Sequence, residues 1–138
     1  MRYTDFLRQQ CYIDGTWCDA DSGATLDVTD PGSGARLGTV PRMGADETRR
    51  AVDAAEAALP AWRAKTAGER ARLMRRVFDL MIEHQDALGE LLSREQGKPF
   101  HEARGEIAYG ASFVEWFAEE GKRAYGDVIP SHAVDKQI

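Results

Sequence analysis

Residues Gly105 to Pro130, GEIAYGASFVEWFAEEGKRAYGDVIP, decide the fold because they combine helical periodicity with apolar or small residues around almost the whole helix. Spacings of three and four place on one face Ile107, Ala111, Val114, Phe117 and Ala118. A second face carries Gly105, Tyr109, Ser112, Phe113 and Trp116. A helix with two such faces must be buried on more than one side. We expect one face to pack on the chain's own core, while the other needs a wall that 138 residues barely supply.

Upstream of this helix, residues 1–42 alternate between turn-forming residues and short strand candidates. The candidates are Tyr12–Cys18, Thr25–Thr29 and Arg36–Val40. This pattern predicts a small N-terminal antiparallel β-sheet.

The only two cysteines of the sequence are Cys18, which ends the first strand candidate, and Cys11, which immediately precedes it. If Asp14 and Gly15 form a two-residue type I′ turn, Cys11 faces Cys18 across a hydrogen-bonded pair. A disulfide between them is possible there but strained. We favour two free thiols, because the sequence indicates a cytosolic protein.

Four α-helices are predicted within residues 46–126, where the hydrophobic period changes from two to about 3.6. Asp46 is the expected N-cap of the first helix, and Pro60 should limit its regular part. Thr66, followed three residues later by Glu69, is typical of a capping box that starts the second. Gly97 should end the third, and the fourth should run roughly from 102 to 125.

Composition bounds the class of protein and its partners. The net charge is −5, with a pI near 5.2, which argues against a nucleic-acid or anionic-membrane surface as the main partner. The first ten residues lack the apolar core of a secretory signal, and no run is long enough for a membrane span. We therefore expect a cytoplasmic protein with no membrane contact.

Recognisable catalytic or cofactor-binding chemistry is absent from the sequence. There is no asparagine and no phosphate-binding GxxxxGK loop. Gly32, Gly34 and Gly38 have the wrong spacing for a dinucleotide fingerprint. The three histidines have no metal-ligand spacing with the cysteines, so no metal site is predicted.

Several segments resemble the aldehyde dehydrogenase superfamily, and most closely its succinate-semialdehyde dehydrogenases. EIAYGASFVEWFAEEGKR followed by YGDVIP carries the resemblance in the fourth helix. Further motifs occur in the family's order, namely YIDGTW at 12–17, DPGSGARLGTVPRMGA at 30–45, AAEAALPAWRAKTAGERARLMRR at 54–76 and EQGKP at 95–99. The resemblance implies an α/β parent fold of which this chain is the N-terminal segment. Residues 1–130 would belong to the cofactor-binding domain and 131–138 would start an oligomerisation strand.

The same resemblance implies a reaction and a cofactor. Family members oxidise an aldehyde through a cysteine thiohemiacetal, with NAD or NADP accepting the hydride. No residue of this segment matches their nucleophile, oxyanion donor, base or cofactor loop. We therefore expect no catalytic or cofactor-binding residue here, and no cofactor bound by the segment alone. The implied partners are a small aldehyde and further copies of the protein in a homo-oligomer.

Two residue groups leave alternatives open. By motif position Gly105, Tyr109 and Phe113 would line the substrate tunnel, although an aromatic stripe at helical spacing is also typical of an ordinary core. Glu95, with a backbone oxygen from the strand carrying Val28, could hold a structural monovalent cation in the family. A surface carboxylate near a helix end is the favoured interpretation, and no metal is predicted.

Two functional hypotheses follow. In the first, the chain is the N-terminal segment of an NAD(P)-dependent aldehyde dehydrogenase that oxidises succinate semialdehyde to succinate, and the segment alone is inactive. The alternative is a stand-alone, non-enzymatic helical module for interaction or assembly.

Overall fold

A computed structural model describes residues 1–127, 129 and 131–136. A short 3-10 helix, Tyr3–Phe6, comes first. The strands are β1 (Cys11–Ile13), β2 (Thr16–Cys18), β3 (Thr25–Thr29) and β4 (Arg36–Pro41). The helices are α1 (Ala45–Ala64), α2 (Ala67–Glu83), α3 (Gln85–Gln96) and α4 (Phe100–Glu120). This order confirms the predicted class of antiparallel strands followed by four helices.

The strands pair as two separate antiparallel hairpins, β1 with β2 and β3 with β4. In the first, positive φ angles of 48° at Asp14 and 76° at Gly15 form the expected tight turn. The resulting register places Cys11 opposite Cys18, as predicted. The expected sheet is thus divided in two, because β2 and β3 do not pair with each other.

The first helix begins and ends at different places from those predicted. Gly44, not Asp46, is the N-cap, because the Glu47 carboxylate accepts the Gly44 N–H at 2.9 Å. Glu47 also accepts the Asp21 N–H at 3.0 Å, which ties the start of α1 to the loop between the two hairpins. The helix then continues through Pro60, an exposed position, to Ala64.

The other helix ends follow local capping chemistry. Thr66 and Glu69 form the predicted capping box, with the Thr66 N–H donating to Glu69 Oε2 at 2.7 Å. Gly97 ends α3 in the left-handed conformation, at φ 80°. The predicted end of α4 at Tyr125 is wrong. The helix ends at Glu120, after which the N–H groups of Lys122 and Arg123 bond carbonyls three residues back, as in a 3-10 turn.

Small residues form the core where α4 packs on α2 and α3. The most buried are Ala103 and Ala111, both at 0% exposure, and Ala118 at 2%. Gly89 of α3 is also buried, against the backbone of Arg104 in α4. Within the described residues no large side chain is fully buried. Close helix contact through small residues therefore leaves the large apolar side chains of this region half-buried or exposed.

Two further expectations concern the membrane and the C-terminal strand. Every helix in the described part of the chain is too short or too polar to cross a bilayer. Residues 131–136 contain bends and a turn. The strand predicted over 131–138 extends into Gln137 and Ile138, which lie outside the described residues, as do Val128 and Pro130.

Candidate functional site

The two faces of α4 have opposite environments. Ala103, Ala111 and Ala118 point into the core, whereas Tyr109 is 66% exposed and Trp116 is 62% exposed. An exposed aromatic surface of this kind is typical of a ligand-binding or protein-binding face. The outer face of α4 is therefore the candidate site.

An aromatic pair and a small residue shape this outer face. The rings of Tyr109 and Phe113 meet edge to face, with centroids 4.9 Å apart. Gly105 lies one turn before Tyr109, and a Cβ placed on it would meet nothing within 4 Å. The three residues predicted to line a tunnel thus share one open surface, on which the aromatic pair lies beside the open space at Gly105.

The C-terminal half of α4 borders an open groove of about 720 Å³. Its lining residues include Phe113, Trp116 and Phe117. Phe117 shares a helix face with Ala111 and Ala118 in the sequence pattern, but its side chain is 57% exposed. Phe117 lies at the edge of the helix face whose centre is formed by the buried alanines, so its side chain is not covered as theirs are.

The carboxylates around this groove are engaged in ion pairs. Glu115 pairs with Arg75 of α2 at 2.6 Å, and Glu119 pairs with Lys122 at 2.6 Å. The hydrogen bond from Lys122 lowers the pKa of Glu119. A carboxylate held in its charged form by a cation is poorly suited to act as a general base near neutral pH. The groove is therefore a shaped apolar surface with a neutralised rim.

Polar contacts hold α4 in a defined orientation. The Gln85 side-chain amide donates to the Arg104 carbonyl at 2.9 Å, and the Arg104 guanidinium meets Asp86 at 2.5 Å. Arg75 adds its contact to Glu115 from α2. These bridges link α4 to two neighbouring helices on the side opposite its aromatic face.

The remaining sequence candidates lie elsewhere. Cys11 and Cys18 are free, half-buried thiols in the first hairpin. Val28 and Glu95 border one cleft of about 510 Å³ between the second hairpin and α3. Within the described residues no cluster of three or more His, Cys, Asp or Glu side chains is arranged to hold a metal ion.

The helical pattern of the sequence also indicated apolar faces on α1 and α2. It did not indicate that they would be exposed. On α1, Val52 is 61% exposed and Leu59 is 48% exposed. On α2, Leu73 and Val77 are each 49% exposed. Periodicity shows that such residues share a face, but only the packing shows whether anything in the chain covers them.

Known proteins resemble this chain over nearly its whole length. A sequence profile described as the aldehyde dehydrogenase family matches residues 17–138. An NADP-dependent succinate-semialdehyde dehydrogenase of Escherichia coli is 61% identical, covering 98% of this chain and 28% of that protein. A glutarate-semialdehyde dehydrogenase of Pseudomonas aeruginosa is 63% identical, covering 96% of this chain and 27% of that protein.

A solved structure resembles the fold as closely. The crystal structure of an NADP-dependent enzyme of E. coli superposes with a TM-score of 0.94, at 61% identity, over 97% of this chain and 28% of that one. The chain therefore spans between a quarter and a third of the length of the proteins it matches.

Proposed function

Because this chain belongs to the aldehyde dehydrogenase family, we propose that it forms the N-terminal part of an enzyme that oxidises succinate semialdehyde to succinate. The observation that carries the proposal is 61% identity to a succinate-semialdehyde dehydrogenase over 98% of the chain. Glutarate semialdehyde, the substrate named for a relative at 63% identity, is the competing substrate. Both aldehydes carry a distal carboxylate on a short apolar chain.

The proposed reaction is oxidation through a thiohemiacetal on a cysteine, followed by hydride transfer to NAD or NADP. Cys11 and Cys18 are not assigned to this step, because neither lies on the candidate site of α4. The nucleophile, the oxyanion donor, the base and the cofactor loop are assigned to other parts of the protein. This chain contributes shape and position instead.

The outer face of α4 is the proposed wall of the substrate tunnel, with Gly105, Tyr109 and Phe113 lining it. All three are exposed, so they are not part of the core of the described residues. The aromatic pair offers a rigid apolar surface for the methylene groups of the substrate, while Gly105 leaves room beside it. A wall of this kind selects substrates by fit and orients them, rather than moving protons.

Assembly into a homo-oligomer is part of the same proposal. The strand expected over 131–138 would pair with a neighbouring subunit, since an unpaired strand edge favours pairing with another chain. The exposed apolar faces of α1 and α2 support burial against further protein surface.

Activity measurements on the full-length protein test this function. Succinate semialdehyde, glutarate semialdehyde and a neutral aldehyde of similar length are each offered with NAD or NADP, and reduced nicotinamide is followed. We expect kcat/KM to be highest for the two acidic aldehydes. Equal turnover of the neutral aldehyde would contradict the acidic substrate class. Absence of any aldehyde oxidation would favour the alternative of a non-enzymatic module.

A further inference from the structure

The first hairpin contains a pair of thiols that the proposed reaction does not use. Cys11 and Cys18 lie directly opposite each other on β1 and β2, and both are free and half-buried. The Cys18 thiol donates to the Cys11 carbonyl oxygen at 3.4 Å, so it lies over the strand that carries the other thiol. The two sulfur-bearing side chains therefore share one face of the hairpin.

The spacing of this pair permits a bond without favouring it. Opposed residues of a hydrogen-bonded pair have Cα atoms about 5.5 Å apart, within the range that disulfides span. Their Cβ atoms are further apart than the roughly 3.8 Å of a relaxed disulfide, so closure requires extra local twist. Such a bond is strained and is readily reduced.

The hairpin is able to supply that twist. Each strand has three residues, and the two form a sheet of their own without a third strand to hold them flat. Two-stranded ribbons twist more than wider sheets. Closure of the pair is therefore compatible with the rest of the fold.

We propose that Cys11 and Cys18 are a reversible modification site that a small disulfide, such as glutathione disulfide, oxidises to an internal disulfide. One thiolate attacks a sulfur of the reagent, whose S–S bond breaks and releases one glutathione. The second thiolate attacks the protein sulfur of this mixed disulfide and releases the second glutathione. Two protein thiols lose two electrons and two protons, one glutathione disulfide becomes two glutathione thiols, and a dithiol reductant reverses the process.

Mass spectrometry of the full-length protein tests the site without interference from other cysteines. After incubation in glutathione redox buffers and acid quenching, trypsin releases a single peptide, residues 9–36, that contains both thiols between cleavage sites at Arg8 and Arg36. We expect this peptide to lose about 2 Da, the mass of two thiol hydrogens, and to regain it with a dithiol reductant.

Two variants separate an internal bridge from general thiol reactivity. Cys11→Ser should retain glutathione on Cys18, because no second thiol displaces it. A register control combines Cys18→Ser with Thr16→Cys, which keeps two cysteines on one face but sets them diagonally. We expect this control to form at least about tenfold less internal disulfide, since its thiols have a lower effective concentration.

Three outcomes would overturn the proposal. The wild-type peptide could keep glutathione as the end product, or it could stay reduced in buffers that modify the Cys11→Ser variant. The register control could also close as readily as the wild type, which would show that the opposed geometry has no role.

Discussion

Replacing Gly89 with alanine tests the close contact between α3 and α4 that positions the candidate site. A Cβ at this position would lie 2.9 Å from Arg104 Cα and 3.1 Å from Arg104 N. These are backbone atoms, so no side-chain rotation relieves the clash, and the two helices must move apart. The Gln85 and Asp86 contacts to Arg104 bridge the same helices and would be stretched by that movement.

The expected change in the free energy of unfolding is the sum of opposing contributions. Alanine in place of glycine within a helix contributes about 0.5–1 kcal/mol of stability. Forcing an extra methyl group into a well-packed contact costs about 1–3 kcal/mol, and here the upper part of that range applies because backbone is the obstacle. Loss of a bridging hydrogen bond adds about 1 kcal/mol. The sum predicts that Gly89→Ala lowers the free energy of unfolding by about 2–3 kcal/mol.

The measurement is the free energy of unfolding by chemical denaturation, with a matched substitution as control. Gly68 lies in α2, and a Cβ placed on it would meet nothing within 4 Å. Gly68→Ala should therefore be neutral, or stabilised by up to about 1 kcal/mol. If Gly89→Ala were as stable as the Gly68→Ala control, the close approach of α3 to α4 would be refuted.

Three further predictions concern the site, its reaction and the start of α1. In the full-length enzyme, Tyr109→Ala or Gly105→Leu should change KM or the preference among aldehydes more than it changes the chemical step. The preference is measured by comparing kcat/KM over a series of aldehydes. An unchanged profile with a stability loss of about 3 kcal/mol would instead indicate a core role. The isolated 138-residue chain should produce no reduced nicotinamide from succinate semialdehyde with NAD or NADP; a sustained rate without Cys11 and Cys18 would contradict the placement of the active site outside it. The pKa of Glu47 is lowered from its ordinary 4.5 by hydrogen bonds from its own backbone N–H and from two other backbone N–H groups, so its ionised form stabilises the fold above that pH. Thermal melts should show Glu47→Gln less stable than wild type at neutral pH, with the difference shrinking as pH falls below 4.5; a constant difference would count against this role.

Where near neighbours in the chain decide the backbone conformation, the sequence alone was sufficient to predict it. Asp14 and Gly15 adopt the positive φ angles of a tight hairpin turn, and the register of Cys11 with Cys18 follows from that turn alone. The capping box at Thr66 likewise depends on residues within one helical turn. Each feature is decided by sterics and hydrogen bonds between near neighbours in the chain, which a sequence displays directly.

The sequence predicted only part of the candidate site. Periodicity separated the two faces of α4 and placed Gly105, Tyr109 and Phe113 together, and the motif resemblance suggested their role. Periodicity placed Phe117 on the same face as Ala111 and Ala118, yet the structure buries both alanines and leaves most of the Phe117 side chain exposed. The helix shows which residues share a side, whereas the surfaces packed against it determine where burial ends.

Tertiary structure decided the features that depend on residues distant in sequence. The start of α1 at Gly44 is reinforced by Glu47 binding the backbone of Asp21, which lies 26 positions earlier. The contact between Gly89 and Arg104 exists because two helices cross where one of them lacks a side chain. Local propensities act within a turn or two of the chain, but burial is a property of two surfaces brought together. That is why the sequence predicted the helices and their faces, while only the folded chain revealed which faces are covered and which are exposed.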